Sequence, residues 1–115
     1  MFQLIGYMET FKAGGNTSHA VNRSKRLQIA ERLIIEESAK VLKIADVNKG
    51  HANGNEIHII YNNGVVKVYN ERTHKFITVL IARVPQIERY NVKVTKAMRK
   101  KIEKHVANGY NHIEF

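Results

Sequence analysis

Alternation of apolar and polar positions dominates the middle of the chain. Residues 56–61, 65–69 and 76–82 are apolar-rich runs separated by polar turns, a pattern that predicts a three-strand antiparallel meander. Asn63-Gly64 is a favoured pair for a tight type I′ turn. Pairing Asn62 with Val65 across that turn places Ile57, Ile59, Tyr61, Val66 and Val68 on one face. Closing the second hairpin over residues 71–74 adds Ile77, Val79 and Ile81 to it. The opposite face is then expected to carry His58, Lys67, Tyr69 and Thr78, interleaved with Ile60, Phe76 and Leu80. Side chains in a strand alternate with period two, so a one-residue slip would scramble this sorting. The expectation is one core face and one face left open for binding or chemistry.

On either side of the meander the pattern changes. Residues 2–8 suit a short strand or a strap across the core, and Lys12-Ala-Gly-Gly-Asn16 reads as a loop. Thr17 or Ser18 can cap a helix, and residues 19–46 place Leu27, Ala30, Ile34, Val41 and Ile44 near helical spacing with no Pro or Gly. That span reads as one bent helix or two consecutive ones. Residues 47–55 form a polar loop, Pro85 ends the third strand, and 87–94 alternates as a fourth, edge strand. Thr95 then caps a helix over 96–108, which Gly109 stops. Its apolar stripe is Ala97, Met98, Ile102 and Val106, and Lys96, Arg99, Lys100, Lys101 and Lys104 cover its back. The whole predicts a single α+β domain over residues 1–115, with N-terminal helices on one face of a twisted antiparallel sheet of three to five strands and a basic C-terminal helix.

Composition narrows the chemistry. The 115 residues contain no cysteine, which excludes disulfides, thiolate catalysis and zinc–thiolate sites. No leader pattern and no bilayer-length apolar run is present, so the chain is expected to be soluble, cytoplasmic and not membrane-associated. Nineteen Lys and Arg against ten Asp and Glu give a formal charge of +9. Such a field draws polyanions, nucleic acid first. The acids do not cluster on the strands as a two-metal nuclease requires. The six histidines show neither His-x-His nor His-x-x-x-His spacing. No Walker-type phosphate loop, dinucleotide fingerprint or Gly-x-Ser-x-Gly elbow occurs. No metal and no cofactor is expected.

Metal-free RNA cleavage fits the residues that remain. There the ribose 2′-hydroxyl attacks the adjacent phosphate, so the protein supplies only a base, an acid and groups that steady charge on phosphorus. His19 and Arg23 lie one helical turn apart, and Arg26 extends the patch. On the expected open face Thr78 sits opposite Lys67, and Tyr69 is paired with His58. His51 is a weaker candidate for the second proton transfer. Arg26, His58, Arg83 just past the strand, and Arg99 and Lys100 on the last helix are candidates for RNA contact.

The run Ser18-His-Ala-Val-Asn-Arg23, the following segment Glu31–Leu42 and the meander from Val65 to Leu80 resemble the barnase/RelE-like ribonuclease superfamily, in its phage-borne and toxin branches. The resemblance implies RNA cleavage on the open sheet face with helices packed behind. It nominates His19, Arg23 and Thr78. The interval from His19 to Arg32 is longer than in the compact toxins, His74-Lys75 stands where Thr-Gly is more usual, and the basic C-terminal helix is an addition. The leading expectation is therefore a metal-independent endoribonuclease, a toxin or phage-encoded RNase, acting on RNA such as tRNA or ribosome-bound mRNA. His19 would move protons, Arg23 and Lys67 would clamp phosphate, and Thr78 and Tyr69 would donate hydrogen bonds. An acidic antitoxin or immunity protein is the expected protein partner. The alternatives are a non-catalytic RNA- or ribosome-binding module, and a phage protein docking on an acidic host protein.

Overall fold

The computed structural model describes residues 18–48 and 54–110, with side chains from Lys25 onward in the first helix. The expected strand at 2–8, the loop at 12–16 and most of the 47–55 loop lie outside the described residues, as does His51. Helix α1, Ser18–Glu36, is followed by strands β1 (Val41–Val47), β2 (Glu56–Tyr61), β3 (Val65–Asn70) and β4 (Phe76–Ile81). A short helix α2 (Val84–Glu88) and the final helix α3 (Lys96–Ala107) complete the chain. The fold is α+β: one four-stranded antiparallel sheet in the order β1-β2-β3-β4, with helices before and after it.

Helix α1 runs uninterrupted because it contains neither Pro nor Gly, and Leu27, Ala30, Leu33 and Ile34 give it an apolar stripe. It stops ten residues earlier than its pattern suggests. Ser38 adopts a left-handed conformation at φ 49, while the Ser38 and Ala39 N–H groups donate back to the Ile35 and Ile34 carbonyls at 3.2 and 2.8 Å. This Schellman closure releases the chain into β1. Val41 and Ile44, expected on a helix, belong instead to that strand and pack on the same core cluster as Ala30 and Leu33.

The meander exists, but its first register is one residue away from the expected one. Tyr61 O accepts from Gly64 N at 3.1 Å, and the loop is the three residues 62–64. The pairing is Ile57↔Tyr69, His58↔Val68, Ile59↔Lys67 and Ile60↔Val66. Gly64 carries φ 89, the left-handed end of a three-residue turn rather than half of a type I′ pair. A Cβ there would stand 2.6 Å from Ile102 Cγ1, so the glycine also admits α3 against the turn. The second turn does span 71–74, with Asn70 N donating to Lys75 O at 2.9 Å. Beyond it, Tyr69 pairs with Phe76 but Val68 pairs with Thr78, leaving Ile77 as a bulge.

These shifts redistribute the faces. Ile57, Ile59, Tyr61, Val65, Tyr69, Phe76, Val79 and Ile81 face α1 and form one core cluster with Ala30 and Leu33. Ile60, Val66 and Val68 face the other way and pack with Ala82, Ile87, Met98 and Ile102. Both faces are thus covered, and β3 is buried along almost its whole length. No open sheet face remains, contrary to expectation. The expected strand at 87–94 is also absent. Pro85 opens α2, Gln86 Oε1 accepts from Arg83 N at 2.7 Å, and buried Ile87 anchors the turn to the sheet. Helix α3 matches its prediction: Thr95 Oγ1 accepts from Met98 N at 3.2 Å, and Gly109 turns left-handed at φ 75.

Candidate functional site

Four polar groupings among the described residues bear on the candidate site, and only some are presented to solvent. The first lies between α1 and the sheet. Lys67, on central strand β3, is 1% exposed, pairs with Glu31 of α1 and stands 5.5 Å from the centre of the Tyr61 ring. Burying an ammonium is costly unless a partner charge accompanies it, and Glu31 supplies that charge from a half-exposed position. Burial, followed by the charge on Glu31, pushes the Tyr61 phenol up to about 12. Tyr69 is raised further by burial, with smaller contributions from Tyr61 and Glu31. Both phenols therefore remain protonated at neutral pH. The one-residue register shift turns Lys67 and Tyr69 beneath α1, so neither shares a face with Thr78. Their expected roles as an exposed phosphate clamp and hydrogen-bond donor do not fit this burial.

The second grouping is on the opposite face. His58 Nδ1 lies 2.7 Å from Tyr90 Oη, and its Nε2 lies 2.9 Å from Glu56 Oε1. Lys43 Nζ donates to the Tyr90 carbonyl at 2.6 Å, tying β1 to the same segment. Burial and then Glu56 raise the Tyr90 phenol. His58 is buried with both ring nitrogens engaged, and it pairs with Val68, not Tyr69. It is thus a bracing residue rather than an exposed RNA contact. His58 and Thr78 do share a face, in line across Val68.

The third grouping is the outer edge of β4. Helix α1 packs along this strand, and half-buried Arg26 reaches its edge. Arg26 Nη1 donates to the Val79 carbonyl at 3.1 Å and stands 3.5 Å from Thr78 Oγ1. Burial draws the guanidinium below its ordinary value. His19 and Arg23 belong to α1, seven and three residues before Arg26, and their side chains lie outside the described residues. Sequence reasoning named Arg26 only as an outlying RNA contact. The structure brings it to Thr78.

The fourth grouping ties three elements at the far end of α1. Asn63 Nδ2 donates to Glu37 Oε1 at 2.8 Å, and His105 Nε2 of α3 lies 2.9 Å from both Glu37 oxygens. Sequence reasoning missed Glu31, Glu37, Glu56 and Tyr90 as partners. Glu31 alone left a signal, because it interrupts the apolar stripe between Leu27 and Ile34 at helical spacing. Arg83 is exposed after β4, and Arg99 and Lys100 are exposed on α3.

Among the described residues no three His, Asp or Glu side chains gather as a metal site would require, and no helix is long and apolar enough to cross a membrane. Comparison with known protein families, with curated proteins and with solved structures returns no match.

Proposed function

We propose that this chain is a metal-independent endoribonuclease, of the toxin or phage-borne kind its sequence resembles, whose site lies along α1 and the edge of β4. The observation that supports this reading is Arg26: it stands on α1, yet its guanidinium meets Thr78 and the Val79 carbonyl. Residues 19, 23 and 26 follow helical spacing, so one stripe of α1 leads from Arg26 back to a histidine. In the proposed reaction His19 transfers protons near neutrality. Arg23 and Arg26 hold the phosphate, for which a guanidinium fork is suited. Thr78 donates a hydrogen bond to phosphate oxygen as charge develops on it. The RNA 2′-hydroxyl is the nucleophile, and it displaces the 5′-oxygen of the next nucleotide. Lys67 and Tyr69 leave the catalytic set and serve the fold.

A second reading, a non-catalytic RNA- or ribosome-binding module, is favoured by the exposed cations of α3, Lys96, Arg99, Lys100 and Lys104. Incubation with total RNA in EDTA, with the product ends mapped, separates the two. Cyclic-phosphate or 3′-phosphate ends are expected. RNA that is bound but uncut selects the binding module. Salt-insensitive binding to an acidic protein, with none to RNA, selects a protein-docking role instead.

A further inference from the structure

A groove of about 400 Å³ runs between α3 and Glu37, lined by Glu37, Ala97, Lys100, Lys101 and Lys104. Positions 97, 100, 101 and 104 recur at helical spacing and form one stripe. The adjoining stripe of α3, Met98, Ile102 and His105, is buried, so the rotation of the helix is fixed and the lysine stems line the groove. The Glu37 carboxylate is held by Asn63 and His105, and among the described residues none of the three ammonium groups enters an ion pair. Three cations on one helical stripe give the groove a positive rim, which an anionic ligand complements. A membrane surface is a poor occupant, because the apolar side of α3 is spent on the core and nothing is left to insert.

We infer that this groove holds backbone phosphates of single-stranded RNA, as a second contact separate from the β4 edge. The inference rests on the RNA reading above and extends it. Arg26 and Glu37 are eleven positions apart on α1 and its C-terminal turn, roughly 16 Å at the helical rise per residue. A strand cut at the edge must therefore extend some nucleotides before it reaches the groove. A dinucleotide would engage the edge alone, and a dodecamer would engage both.

The test compares two triple variants of equal charge, Lys100→Gln/Lys101→Gln/Lys104→Gln and Lys40→Gln/Arg72→Gln/Lys75→Gln, after thermal melts establish that both remain folded. Binding of a 2′-O-methyl RNA dodecamer, which cannot be cleaved, is followed by fluorescence anisotropy across salt concentrations. The groove variant is expected to lose roughly tenfold or more in affinity at low salt. Its log–log salt slope should flatten by about 2, the release expected for three single-strand phosphate contacts. The second triple should change both far less. Equal effects from the two triples, or an unchanged slope in the groove variant, overturn the inference. Cleavage of a dinucleotide should be the same in the groove variant as in the wild type. A groove effect without any RNA cleavage by the wild type sustains the groove and sinks the ribonuclease reading. Cleavage with an unchanged slope does the reverse. Failure of the wild type to bind RNA overturns both.

Discussion

Lys67 and Arg26 are both cations placed where α1 meets the sheet, yet their surroundings give them opposite capacities. Lys67 lies on a central strand, closed over by the helix, with its ammonium paired to Glu31 and 5.5 Å from the centre of the Tyr61 ring. Arg26 lies half-buried beside β4, the last strand of the sheet among the described residues, and donates to the Val79 carbonyl. A central position makes Lys67 part of the fold; under the proposed function, the position beside β4 puts Arg26 in the RNA site.

Glu31 separates the two cations most strongly. Glu31→Ala strands a buried ammonium and is expected to cost about 3 kcal/mol of unfolding free energy, whereas Lys67→Met leaves a half-exposed carboxylate that water can solvate and should cost less than about 1 kcal/mol. Urea denaturation of the two variants checks this asymmetry, and equal losses would contradict the burial argument. Next in size, Gly64→Ala forces a side chain into left-handed backbone and against Ile102. A loss of about 2 kcal/mol is expected by the same denaturation. At the edge, Thr78→Val should lower RNA cleavage about tenfold, near 1.4 kcal/mol of transition-state stabilisation, with little change in melting temperature. A Thr78→Val enzyme as fast as the wild type would remove the threonine from the site. The smallest effect at neutral pH concerns Tyr61. Its phenol ionises near 10 when unfolded and at about 12 when folded, so its contribution is complete below pH 10. Stability should then fall as pH rises through the folded value, with tyrosinate absorbance appearing late. An early, unshifted titration of all the tyrosines would contradict the buried arrangement.

Much of the fold was legible because local chemistry specified it. Thr95 and Gly109 marked both ends of α3, and the polar run at 71–74 marked the second turn. What escaped depended on contacts between distant segments. Asn63-Gly64 is compatible with a two-residue or a three-residue turn, and the difference is the single residue that flips Lys67 and Tyr69 under α1. Asn63 is held by Glu37 and the Leu33 carbonyl, contacts that no turn propensity reports. The end of α1 was hidden because a serine, not a glycine, takes the left-handed position at residue 38. The bulge at Ile77 carries no Gly or Pro to announce it. Of the candidate site, the stripe containing Arg26 and the threonine within β4 were readable as residue types. Their meeting was not, because it required knowing that α1 lies along β4.

Under the proposed function, chemistry resides at the β4 edge while Lys67 belongs to the fold. The most direct measurement is the initial rate of RNA cleavage in EDTA by the wild type, His19→Ala and Lys67→Met, each checked for folding. A loss of at least about 100-fold is expected for His19→Ala, the usual scale of acid–base catalysis, and a Lys67→Met rate within about threefold of wild type. A folded Lys67→Met protein that cannot cut RNA, beside an active His19→Ala protein, would contradict this assignment.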